Sequence, residues 1–246
     1  MLALRIFCLV TVTSIFQTNS AHAQVSQKDS SFLKSSINHA LTFYDQNIGE
    51  QSGKYNGSQN IGYPQGVIDK NPYFISPNFT KGYIVYDQVL YDNVNLIFDE
   101  AADLVVLQDS SHKIELITEK LEAFGIGDNH FRYLIKKDES TNDLLKTGYY
   151  QILVDNKISL FTKETKKISE KIVSNELSYT IGTSQYYYLK KEGRFYEIQN
   201  KKGFFRLLKD KEKELKKYIK TQHFNYRKDK NYTLSNAVEY YNLITK

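Results

Sequence analysis

The sequence predicts an α+β protein: an antiparallel β-meander of roughly nine to ten short strands, preceded by one helix and followed by two or three more. Three observations carry that expectation. Apolar residues recur every three or four positions near the start of the chain, as on one face of a helix. From Gly82 to about Asn200 they alternate with a period of two, in short runs bounded by turn residues. After Asn200 the helical period returns. No helix-length crossover separates the short runs, which favours hairpins over a parallel sheet.

The first 23 residues, MLALRIFCLVTVTSIFQTNSAHA, place Arg5 ahead of an apolar run from Ile6 to Phe16 and end on Ala21 and Ala23. That order is the order of a cleaved signal peptide, with cleavage expected before Gln24 and residence expected in the periplasm or at the cell surface, secreted beyond the cytoplasm. The run is too short for a permanent span. Cys8 follows Ile6 and Phe7, where a lipoprotein signal needs a small residue. Cleavage leaves 223 residues without Cys, Met or Trp. Disulfides, thiolate ligands and cysteine nucleophiles are thereby excluded, and Tyr and Phe, 14% of the chain, must fill much of the core.

Three further segments are expected: 24–81 as a helix and ordered loop on the core, 82–200 as the antiparallel sheet, and 201–246 as a basic helical end. In the first, Phe32, Leu33, Ile37, Leu41, Phe43, Tyr44 and Ile48 predict a helix over 31–48. The loop after it holds all three prolines, and Tyr55, Ile61, Tyr63, Tyr73, Phe74 and Phe79 offer anchors that clip it down. In the sheet, Leu90, Val94, Leu96 and Phe98 share one dry face. Strands are further expected at 104–107, 112–117, 121–124, 131–135, 149–154, 158–162 and 177–181, with turns at DEAAD, GDN and DN. QYYYLKKEGRFYEI reads as a hairpin turning at Glu192-Gly193, with Tyr187, Leu189, Tyr196 and Ile198 on an apolar face and Tyr188, Lys190, Phe195 and Glu197 on an amphipathic one. At the helical end Phe204 to Leu208 make a short apolar turn, and Asp210 is the expected cap of a helix carrying Leu215, Tyr218 and Ile219. A last helix is expected over 233–244.

The succession IGEQSGKYNGSQ, NPYFISPNFTKGYIVYDQVLYDNVNLIFDEAADLVVL, YYYLKKEGRFYEI and LLKDKEKELKKYIK, with NYTLSNAVEYYNLI at the end, resembles a group of uncharacterised exported envelope proteins of Bacteroidota. The resemblance covers nearly the whole chain after the leader. It implies export, a β-rich architecture and a helical C-terminus, and carries over no catalytic residue. Where the group's pattern has Asn-Gly, this chain has Asp87-Gln88, and Phe98 stands in place of a tyrosine; the first departure puts the tight turn near Gln88 in question.

The chemistry is read largely by subtraction. His39, His112, His130 and His223 fall in four different elements without the spacing of a zinc site, so no metal ligands are expected. Asp99, Glu100 and Asp103 do not match a calcium loop and read as a turn. No serine stands in a nucleophile motif, GIG at 125–127 reads as a turn, and no cofactor motif occurs. Charge is the strong asymmetry: Lys201 to Lys230 holds twelve basic and four acidic residues, in a chain whose formal net charge is +5. The expected function is a non-catalytic, tyrosine-rich binding or accessory module of the envelope. It would act through Tyr188 and Phe195 on the sheet or Lys216, Lys217 and Lys220 on the helical end. The expected partner is an envelope protein or an anionic lipid or polymer surface, and not nucleic acid. Two alternatives come from other classes: a hydrolase of envelope polymers using loop carboxylates such as Asp99, Asp103 or Asp128, and a cupped or closed sheet carrying a small apolar ligand.

Overall fold

The computed structural model describes residues 57–63, 67–68, 71–109, 112–136, 145–173 and 176–245. The chain divides into two units, Met1–Asn47 and Ile48–Lys246, and every described residue belongs to the second. The leader and the helix expected over 31–48 lie outside the described residues, as does Tyr55.

Two-residue turns set the hairpins. β3 (Thr80–Tyr86) meets β4 (Val89–Asp99) through Asp87 and Gln88, whose φ of 50° and 65° give the mirror-image turn that matches strand twist. The tight turn therefore forms without the Asn-Gly pair of the resembling group. β11 (Glu176–Lys191) meets β12 (Arg194–Glu197) in the same way through Glu192 and Gly193, with Leu189 opposite Tyr196 and Tyr188 opposite Glu197 as the sequence predicts. Between these hairpins run β5 (Leu104–Asp109), β6 (His112–Leu116), β7 (Leu121–Ile126), β8 (Asn129–Leu134), β9 (Gly148–Val154) and β10 (Ser159–Val173). Ahead of them stand the short β1 (Gly57–Gln59) and β2 (Val67–Ile68).

Among the described residues eleven strands form one antiparallel path in the order β1-β6-β5-β4-β3-β7-β8-β9-β10-β11-β12, and β2 joins β11 in parallel. The architecture is therefore mostly β and broadly α+β. Not all strands are short: β10 and β11 span 15 and 16 residues, although strand pattern in the sequence stops near Thr162 and starts near Leu177. The extension KETKKISEKIV is mostly polar, so it carries little apolar alternation. It is held instead by an unbroken ladder from Ser159 opposite Lys190 to Val173 opposite Glu176.

The sheet curls tightly. Four strand spacings separate β4 from β9, about 19 Å in a flat sheet, yet the Phe98 ring lies 5.9 Å from Tyr149 and 5.1–5.2 Å from Phe124 and Phe131. At the end of β4 the curl closes: the Lys166 N–H of β10 donates to the Glu100 carbonyl at 3.2 Å. The segment 72–74 wedges into this seam through a bridge between Tyr73 and Asp99 and a bond from Phe74 N–H to the Phe98 carbonyl at 2.8 Å. Tyr63, Tyr73 and Phe74 thus act as the expected anchors, whereas Ile61 is 93% exposed and anchors nothing.

Three helices follow: α1 (Lys201–Leu207), α2 (Glu212–Thr221) and α3 (Lys230–Ile244). Asn200 caps α1 through Gly203 N–H, and Asp229 caps α3 through Tyr232 N–H. Asp210 is not the cap of α2, which has none from a side chain; its carboxylate accepts instead from the Tyr241 hydroxyl at 2.7 Å. Phe204, Phe205, Leu215, Leu234 and Val238 bury their side chains against Leu160, Tyr187, Leu189 and Ile198. Helices and sheet therefore share one core.

Candidate functional site

Two places bring polar chemistry together. The first is the seam that closes the sheet. Asp99 accepts from the backbone N–H groups of Ala101 and Ala102, both at 2.9 Å, and from the Tyr63 hydroxyl at 2.6 Å. Asp103 holds Lys163 at 2.7–2.8 Å, and Lys163 also donates to the Tyr149 carbonyl. Gly148 makes room for this pair: at φ 147°, a Cβ there would stand 2.1 Å from an Asp103 oxygen. Glu100 faces Lys166 at 2.9 Å. Burial pushes the Glu100 carboxyl up to about 7, and the Lys166 ammonium reverses that only in part. Burial also raises the Tyr63, Tyr149 and Tyr150 hydroxyls above their ordinary range.

What remains open beside the seam is a space of about 90 Å³. Phe74, Phe98, Phe131 and Tyr149 wall it on one side, and Glu100 and Lys163 on the other. A drug-sized or lipid ligand needs several times that volume, so the rings themselves fill the inside of the curl. Asp99 and Asp103 are occupied by the contacts just described, and Asp128 is exposed in the turn between β7 and β8. The structure does not gather the three carboxylates into one cleft. Among the described residues no three His, Cys, Asp or Glu side chains converge as they would on a metal ion.

The second place is the helical end. The face of α2 opposite Leu215 and Ile219 carries Lys213, Lys216, Lys217 and Lys220, all exposed. A hollow of about 550 Å³ opens between α1 and α2, with Phe205 as its apolar wall and Lys201, Lys202, Arg206, Lys209 and Lys216 around it. Lys216 lies 5.3 Å over the Phe205 ring and pairs with Glu212, among the described residues the single carboxylate lining this hollow. A second hollow of about 820 Å³ lies between the β12–α1 junction and the loop from α2 to α3, and Lys201 borders both.

The five side chains that the sequence singles out are not brought together. Lys216 lines the smaller hollow, Lys220 the larger, and Lys217 stands exposed beside them. Tyr188 is elsewhere, 5% exposed in a cluster with Leu145, Tyr150 and Phe161, and Phe195 is half-buried against the same cluster. The face read as amphipathic is thus dry at Tyr188, because Tyr150 packs edge-on against it at 5.4 Å. Sequence reading missed Arg206, Lys209, Asn225 and Arg227. The three cations had a signal in the basic run and Asn225 had none, and which of them share a hollow depends on how α1, α2 and the loop after α2 meet. Among the described residues no helix is long and apolar enough to cross a membrane. No family model, no curated protein and no solved structure matches this chain.

Proposed function

We propose that this is an exported, non-catalytic envelope protein acting as a binding or accessory module, with the basic helical end as its contact face toward an anionic lipid or polymer surface. One observation carries the reading: among the described residues, seven lysines and arginines but one carboxylate line the two adjoining hollows. Opposite charges at such a rim steer association and weaken with salt. Lysine and arginine stems beside Phe205 also offer apolar contact beneath the charges. The leader-like N-terminus supplies the compartment in which such surfaces are met.

The test is co-sedimentation of the chain lacking residues 1–23 with phosphatidylglycerol vesicles and, separately, with phosphatidylcholine vesicles over a salt series. Binding to the anionic vesicles alone, falling as salt rises, is expected. The double change Lys202→Glu with Arg206→Glu alters two exposed side chains and should abolish it while the thermal midpoint holds. Equal binding to both vesicle types, or indifference to the charge reversal, overturns the reading.

A further inference from the structure

The larger hollow, about 820 Å³, is of small-molecule size, and far exceeds what a bare inorganic anion fills. Its side-chain amides are turned so that their donors are left over. Asn200 uses its amide oxygen on Gly203 N–H at 2.8 Å. Asn225 uses its own on the N–H groups of Arg227 and Lys228, at 3.0 and 3.1 Å. Among the described residues neither NH2 group has an acceptor within the protein. Lys201, Lys220 and Arg227 add cationic donors, and among the described residues neither aspartate nor glutamate lines the hollow. A lining this rich in donors selects a ligand that brings acceptors, and fixed cations select an oxyanion among them.

The rest of the lining points to what carries the oxyanion. Ile219, Phe224 and Tyr226 give the hollow an apolar side. Gln199 is exposed at the rim with both ends of its amide available to hydroxyl groups. His223 reaches the hollow from a left-handed backbone position, φ 56°, where a helix end ordinarily places glycine. We propose that this hollow binds an acidic saccharide, a sugar ring bearing a carboxylate or a phosphate. The ring's C–H face lies on the aromatic side, its hydroxyls meet Gln199, and its acid group sits among Asn200, Asn225, Lys220 and Arg227. The inference deepens the reading of the helical end as the contact face and rests on it.

Calorimetric titration of the chain lacking residues 1–23 tests it, with glucuronate and glucose 6-phosphate as probes and glucose and inorganic phosphate as controls. Either acidic sugar should bind at least about tenfold more tightly than both controls, and which of them does so assigns the acid group. Asn225→Asp keeps an acceptor oxygen to hold the turn but replaces the NH2 donor with a negatively charged oxygen, so it should remove binding while the thermal midpoint stays. Arg227→Gln changes an exposed side chain and should weaken binding at least about tenfold without touching the turn. His223→Gly should raise the thermal midpoint and lower affinity, opposite signs that a purely structural histidine does not produce. Phosphate binding as tightly as glucose 6-phosphate, glucose as tightly as glucuronate, no binding of any probe, or full binding by both Asn225→Asp and Arg227→Gln overturns the inference. Vesicle binding that persists while no sugar binds overturns it alone and leaves the contact face standing.

Discussion

Single residues show where the chain tolerates strain. Asp87 and Gln88 both hold left-handed backbone, which costs a non-glycine residue roughly 1 kcal/mol or more at each position. The turn survives because its surroundings fix it: Lys120 pairs with Asp87 at 2.7 Å, and Gln88 N–H donates to Glu122 at 3.1 Å. Neither contact needs the Gln88 side chain. Gln88→Gly is therefore expected to raise the thermal midpoint by about 2–4 °C. A lowered midpoint in a calorimetric scan would show that the side chain matters in a way the geometry does not reveal. The absence of Asn-Gly at positions 87 and 88 was legible in the sequence. Its remedy, a bond from the neighbouring β7, was not, because nothing local says that β7 lies beside β3.

At the scale of elements, the helices are fixed to the sheet by a few polar clamps as well as by apolar packing. Asn242 of α3 accepts from Ile158 N–H at 2.9 Å and donates to the Ile158 carbonyl at 2.8 Å, both buried where β9 turns into β10. Removing that amide orphans two buried backbone groups at once. Asn242→Ala should lower unfolding free energy by about 2–4 kcal/mol, read as a shift of the urea midpoint; a loss under about 0.5 kcal/mol would mean that water replaces the clamp. The existence and type of α2 and α3 could be read from apolar spacing alone, whereas α1 showed in the sequence only as a short apolar turn. Asp210 could not be placed, because its attraction to Tyr241 competes with capping and is decided by the α2–α3 approach. The length of β10 was equally hidden, since a polar strand is recognised by its partner and not by its own pattern.

For the whole molecule, the closure of the curled sheet carries a pH dependence. The folded state holds the Glu100 proton more tightly than the unfolded chain does, about 7 against an ordinary 4.5. The unfolded state therefore binds fewer protons across that window. The contribution of Glu100 is fullest below its ordinary value and is lost as pH rises through about 7. Guanidinium midpoints at pH 5 and pH 8 should show this decline, and Glu100→Gln should flatten it whatever its effect on absolute stability. An unchanged slope in that variant would place the titration elsewhere.

The sequence by itself determined the period of each segment, and through it an antiparallel sheet, a helical end, the register of the Glu192-Gly193 hairpin and a concentration of positive charge after Asn200. Those features depend on neighbours along the chain, so local pattern suffices to read them. Tertiary structure alone decided that the sheet curls until Lys166 meets Glu100, that Tyr188 is buried, and that Lys201 borders two hollows. Each of these depends on residues far apart in sequence meeting across a core. Their meeting is set by sheet curvature and helix docking, which apolar spacing does not encode.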